Sequence, residues 1–337
     1  MSGARPPVGG ARTPTAADLL AHEKDPGRYA GTEFDVRAVV PRLSADPADA
    51  PWGRFTGPHG PAVEVPGHLA GLASADPGVA GKALDALWDS LCHQGTVHAS
   101  AALAAPHLLR LAALPRTHDR QGVLALVAAC ARGANVLSHT HDVLWLTEGA
   151  RGAWAYDTGG YPANWSMEAV HTAVTARFHA LEPLLDDGDH QVRLMAAYTL
   201  AMASGPAPAA ALRRRVATEA VPLVAASLVL AAAQHAHRHG EDAAPWLDAL
   251  HPDPARPAEV RIAAALARLC FGPARTAPEA LRPVLAGLPD DAVPRSLDEL
   301  PWLRHVGLAE GGLRHYVRHV LDPAYDPPPP PGDEPPF

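Results

Sequence analysis

Between Asp186 and Gly205 the chain reads DDGDHQVRLMAAYTLAMASG. Val192, Met195, Ala196, Leu200 and Ala203 recur there at spacings of three and four, which puts them on one face of a helix. The Asp186-Asp187-Gly188-Asp189 cluster ahead of them is a turn. Asp189 is the expected N-cap, because its carboxylate can accept from the unpaired N–H groups of the first turn and suits the positive end of the helix dipole. Leu181, Leu184 and Leu185 close the preceding element. The stretch therefore predicts the turn and second arm of a helical hairpin, with small Ala residues where a neighbouring helix comes closest.

The same rhythm recurs on both sides. Asp76-Pro77 reads as a cap and first helical residue. It precedes a helix over 79–92 with Leu84, Leu87, Trp88 and Leu91 on one face. His93-Gln94-Gly95 reads as a turn and Thr96 as the next cap, ahead of Val97, Ala101, Ala105 and Leu108. Further helices are predicted over 120–131, over a long run from Trp165 to Leu185 capped by Asn164, and over 209–218. Val221, Val224, Ala225 and Val229 repeat the spacing, as do Val260, Ala263, Ala264 and Leu266; helices over 277–288 and 295–321 close the series.

Other segments lack this pattern. Residues 1–15 are dominated by Gly, Pro, Ala and Thr and are expected to be disordered. Residues 16–75 read as an irregular N-terminal cap, since Pro47, Pro51, Pro58, Pro61 and Pro66 exclude a long helix. Within it, residues 33–43 fit a short strand or a helix equally. Residues 133–165 interrupt the helical series as an insertion. Residues 322–337, with the run Pro327 to Pro331, form a Pro-rich tail of polyproline II character, expected to be disordered.

Asp187, Val192, Arg193, Ala196, Ala197 and Leu200 match a pattern that resembles the inner-helix signature of HEAT-like repeats. The segment HQGTVHASAALAAPHLLRLAA resembles a stretch of uncharacterised bacterial HEAT-like proteins and brings no activity with it. The resemblance implies an all-α fold, a right-handed α-solenoid of degenerate helical hairpins over residues 76–321. It also implies that Asp187 and Arg193 form a structural ladder. Steps of 29 and 39 residues, from Val192 to Val221 and on to Val260, suit degenerate repeats rather than a strict array.

Composition agrees with helices: 47% of residues are hydrophobic, and only 5% are aromatic. The net charge of −8, from 28 basic and 36 acidic residues, argues against a nucleic-acid partner, which needs a basic stripe. Arg213, Arg214 and Arg215 read as a solvated face. Cys92, Cys130 and Cys270 are too far apart for a zinc motif or a disulfide framework, and are expected to be reduced core residues. No signal-peptide core is read at the N-terminus, and the apolar run at 220–233 is too short to span a bilayer. A cytoplasmic protein with no membrane association is expected.

Three sets of residues could carry chemistry. Ser138-His139-Thr140-His141-Asp142 departs from the H-x-H-x-D metal motif, because Asp142 follows His141 directly. His235, His237 and His239 lie near a predicted helix end, where cations are favourable without a metal. His93 and His98 flank a turn and could meet Asp85 or Asp89. No metal, cofactor or catalytic residue is assigned from these. The insertion carries the densest group of aromatics, a composition of interaction hot spots. Trp145, Arg151, Trp154, Tyr156, Asp157, Tyr161 and Trp165 are the expected binding residues, joined by Arg193 and Arg261 on the inner helices. The sequence thus favours a non-catalytic scaffold that binds a protein partner; its oligomeric state is left open. The alternatives are an enzyme with a pocket at 133–165, using Asp142, Glu148, Asp157 and His141, or a DNA-binding HEAT-like protein.

Overall fold

The Pro-rich region before Asp76 holds more order than its prolines suggest. The computed structural model describes residues 46–50, 52–94, 96–132, 163–203, 207–271, 279–287, 292–303 and 313–322. Two 3-10 turns, Pro47–Asp49 and Trp52–Arg54, lead into a hairpin of β1 (Thr56–Gly57) and β2 (Gly60–Pro61). Thr56 pairs with Pro61 and Gly57 with Gly60. Helix α1 (Val65–Leu72) follows, inside the segment expected to be irregular. Pro66 does not break it, because it sits in the first turn, where its missing N–H has no intrahelical partner to lose. Val65, Leu69 and Leu72 are buried, and α1 packs on α2 (Pro77–Leu91). Asp76 caps α2 as expected, accepting from the Gly78 N–H at 2.8 Å and the Val79 N–H at 3.3 Å.

Thr96 does not cap a helix. Cys92–His93 (β3) and Thr96–Val97 (β4) pair antiparallel instead, and Gln94 turns the chain at φ +47°. Val97 reaches the core from this strand. Helix α3 (Ser100–Ala112) begins at Ser100, whose Oγ donates to the Ser90 carbonyl at 3.1 Å. It packs on α1, α2, α4 (Arg120–Arg132) and α5 (Ala163–Ala176). Phe55, Leu87, Leu91, Leu103, Leu108, Leu109 and Leu124 fill this core. Cys92 and Cys130 are buried in it, as expected. These elements are the described part of the first of two compact units.

The single helix expected from Trp165 to Leu185 is broken into α5, α6 (Phe178–Leu181) and a 3-10 turn at Glu182–Asp186. Two local features accompany the break. The hydroxyls of Thr172 and Thr175 donate to the Glu168 and His171 carbonyls one turn back, at 2.9 and 2.8 Å, which competes with the helical ladder. Pro183 then removes a donor in the 3-10 turn. The boundary between the two units falls at Arg177 and Phe178.

The second unit is helical. Its elements are α7 (His190–Leu200), α8 (Ala207–Thr218), α9 (Pro222–Arg238), α10 (Ala244–Leu250) and α11 (Ala258–Leu269). Helix α8 packs on α9 and α10 on α11, while α7 contacts α9 and α9 contacts α11. Asp189 caps α7, accepting from the Gln191 N–H at 2.9 Å. The shorter α12 (Arg282–Ala286), α13 (Ala292–Asp298) and α14 (Leu313–Leu321) follow. Helix α9 is buried from Val224 to Ala236, and its alanines admit neighbours on more than one side.

Polar groups fix the register of that packing. Ser227 Oγ donates to the Leu194 carbonyl at 3.3 Å, and Gln234 Nε2 donates to the Ala201 carbonyl at 3.1 Å. Both bonds join α9 to the α7 segment across the same 33-residue offset. The Trp302 indole donates to Gln234 Oε1 at 2.6 Å and meets Tyr198 edge-on, with ring centroids 4.6 Å apart. All of these polar side chains except the indole are on α9, and each finds a partner where an unpaired amide would be costly.

Candidate functional site

Trp145, Arg151, Trp154, Tyr156, Asp157 and Tyr161 lie outside the described residues, as do His139, His141, Asp142 and Glu148. Trp165 falls in the first turn of α5, with its side chain outside the described set. Of the expected binding residues, Arg193 and Arg261 are the two whose side chains are described.

Arg193 is held by its own unit. Its Nε and Nη2 donate to the two carboxylate oxygens of Glu219, each at 2.9 Å. Its Nη1 donates to the carbonyls of Asp187 at 2.8 Å and Gly188 at 3.3 Å. Arg215 approaches the same carboxylate, with Nη2 2.9 Å from Glu219 Oε2, and its Nε lies 3.0 Å from Asp186 Oδ1. The Glu219 side chain is 1% exposed and that of Arg193 11%. Burial alone would raise the Glu219 carboxyl. The Arg193 hydrogen bonds, the Val221 N–H and the Arg215 charge together hold it below the usual carboxylate range. The Glu219 hydrogen bonds in turn raise the Arg193 guanidinium against the opposing effect of burial. Arg193 thus donates to the Asp187 carbonyl, and Glu219 supplies the carboxylate that its guanidinium pairs with.

The three neighbouring arginines do not form one solvated face. Arg213 lies over the Trp246 ring at 5.4 Å, Arg214 reaches Glu182 at 3.1 Å, and Arg215 is part of the Glu219 cluster. Arg261, on α11, donates through Nε to the His251 carbonyl at 3.1 Å. Arg268, where the apolar pattern fails, pairs with Asp248 at 2.9 Å, and His251 Nε2 lies 3.4 Å from the same carboxylate oxygen. His235 and His239 lie ring to ring at 4.4 Å, while His237 turns to Phe271.

The first unit holds a different kind of cluster. The turn of the β1–β2 hairpin carries His59, the end of α2 carries Asp89, and β3 carries His93. His93 Nδ1 lies 2.6 Å from Asp89 Oδ1, and His59 Nε2 lies 3.2 Å from Asp89 Oδ2. Both rings hydrogen-bond to the carboxylate, and the His93 bond first, with the His59 bond adding to it against the opposing effect of burial, holds the Asp89 carboxyl below its ordinary range. The side chains are 72% (His59), 51% (Asp89) and 35% (His93) exposed. Among the described residues these three are the group whose ligand atoms could hold a metal, all within 4.8 Å of one another.

The hairpin is set against α2 by a close backbone approach. A Cβ on Gly57 would stand 3.2 Å from the Ser90 carbonyl oxygen, a tight contact that glycine avoids. The contact between His93 and Asp89 was open to a reading of the sequence, since the two stand four residues apart at a helix end. His59 was not singled out. The Gly57-Pro58-His59-Gly60 run is a turn signature that could have marked it as a hairpin tip.

No family model, curated protein or solved structure matches this chain. The class that the fold defines is accordingly coarse: a mostly helical protein in two units. Among the described residues, no helix is long and apolar enough to cross a membrane.

Proposed function

We propose that the chain is a non-catalytic scaffold, a HEAT-like α-solenoid whose inner helices and aromatic segment 133–165 bind a protein partner. The observation that supports it is the alternation in the second unit: α7, α9 and α11 in successive contact, with α8 and α10 as the outer arms of hairpins. Such stacking buries each unit's apolar face on the next and leaves one side of every hairpin for a partner. The cationic side chains of the inner helices are held by internal partners, so affinity would come from shape and from aromatic contacts more than from charge. The net charge of −8 further disfavours a nucleic-acid ligand.

The test is affinity capture from the native cell with the full chain as bait, beside a Trp154→Ala, Tyr156→Ala double variant whose helicity is checked by circular dichroism. The partner found is then expressed alone and titrated against both baits. Direct binding by the wild type, weakened at least about tenfold in the variant, is the expected outcome. Failure of any captured protein to bind the purified chain would overturn the scaffold reading.

A further inference from the structure

We propose that His59, Asp89 and His93 form a binding site for one divalent transition-metal ion of the zinc type, with water in the remaining position. The inference is independent of the scaffold reading. It starts from the donor set. Two imidazole nitrogens and a carboxylate oxygen are ligands that borderline divalent metals take, and three protein ligands plus solvent is the usual form of an open zinc site.

The geometry is close to what such an ion needs. With bonds of about 2.0–2.1 Å, the donors around a tetrahedral ion lie roughly 3.3 Å from one another. Asp89 already stands 3.2 Å from the His59 nitrogen and 2.6 Å from that of His93, and every pair of ligand atoms is within 4.8 Å. The two contacts go to different oxygens of Asp89, so an ion would take one of them, with the 2.6 Å contact opening and the proton of each facing nitrogen passing to the ring's other nitrogen or to solvent. The two imidazoles are not stacked: their planes meet at 69°, with centroids 5.4 Å apart. All three side chains reach solvent, so an ion can enter and a water can complete its shell.

An ordinary surface ion pair explains less of this arrangement. His93 and Asp89, four residues apart at the end of α2, would suffice for a helix-end pair. His59 comes from 30 residues earlier in the chain. An additional exposed contact of that kind contributes little stability. Yet the His59 hairpin lies against α2 at Gly57, where a Cβ would stand 3.2 Å from the Ser90 carbonyl oxygen. Three separate elements are thus brought to one point at the surface. An ion there would tie the β1–β2 hairpin to α2 and β3.

The test uses the full chain, stripped of metal, titrated with Zn(II) by calorimetry and with Co(II) by absorption, whose intensity separates four-coordinate from six-coordinate sites. His59→Ala, Asp89→Asn and His93→Ala are compared with wild type, and His118→Ala and His237→Ala serve as controls among the 19 histidines. Thermal melts establish that each variant is folded. The expected result is one tight site per wild-type chain, weakened by more than the roughly 10–100-fold that outer-shell changes cost. Each of the three variants should show that loss and neither control should. Zinc should raise the melting temperature of wild type and leave that of Asp89→Asn unchanged. Wild type that binds no more tightly than Asp89→Asn, or a tight site that survives in all three variants, would overturn the proposal.

Discussion

Two carboxylates, one in each unit, meet basic side chains in opposite ways. Glu219 is buried between Arg193 and Arg215, and its oxygens are occupied by guanidinium and backbone N–H donors. Asp89 stands in solvent between two imidazoles. An arginine is always charged and can only donate, so a carboxylate saturated by it is closed to any third party. An imidazole has an acceptor nitrogen, so a carboxylate flanked by two of them can turn from hydrogen bonding to joint coordination of a cation. Similar clusters on paper are therefore architecture in one unit and a candidate site in the other.

The contrast can be broken most directly at Glu219. Replacing it with Ala leaves two partly covered guanidinium groups without their shared partner and is expected to cost about 3 kcal/mol, read from urea unfolding. The same carboxylate should fail in acid. Because its folded-state value lies below the unfolded one, its contribution is present above about pH 4.5 and is lost as pH falls through the lowered value. A Glu219→Ala protein as stable as wild type at neutral pH would remove the distinction.

Gln234 is next. Gln234→Leu would strip partners from the Trp302 indole and the Ala201 carbonyl, for a loss of about 1–3 kcal/mol. The first unit offers a titration instead. Burial, then the Arg110 charge, push His107 down to about 4, with Arg177 adding to the effect and Asp46 opposing it. Its folded-state value is below the ordinary 6.5. The neutral ring thus stabilises the fold above about pH 6.5, and that contribution is lost as pH falls towards 4. A His107→Gln variant should show a flatter fall in unfolding free energy over that interval. The smallest effect belongs to the exposed cluster: without metal, His59→Ala should change stability by no more than about 0.5 kcal/mol. A large loss there would make the cluster structural, like its buried counterpart.

Helical periodicity made most of the helices readable. The Asp76 and Asp189 caps, the α2 face and the buried face of α7 follow from local rules that need only neighbouring residues. The misses are non-local or depend on backbone detail. The β3–β4 hairpin escaped because Thr96 and Val97 fit a helix start equally well until Gln94 adopts a positive φ. Helix α1 escaped because Pro66 reads as a breaker until its place in the first turn is known. The long helix through Arg177 reads as continuous because its apolar rhythm is good, and the threonine back-bonds and Pro183 that accompany the break do not show in that rhythm. The candidate site was half legible. Asp89 and His93 share a helix end, whereas His59 arrives from a hairpin 30 residues earlier in the chain. Glu219 was missed for a similar reason, since it lies 26 residues from Arg193 and outside the repeat pattern.

The bonds from Ser227 and Gln234 also bear on how the second unit responds to force. They stand seven residues apart on α9 and reach carbonyls that are themselves seven residues apart, at Leu194 and Ala201. A slide of one helix along the other breaks both at once, and no partial slide restores either. Gliding therefore has to break the two bonds together, whereas peeling parts them one after the other. Under tension these helices should separate by unzipping from an end.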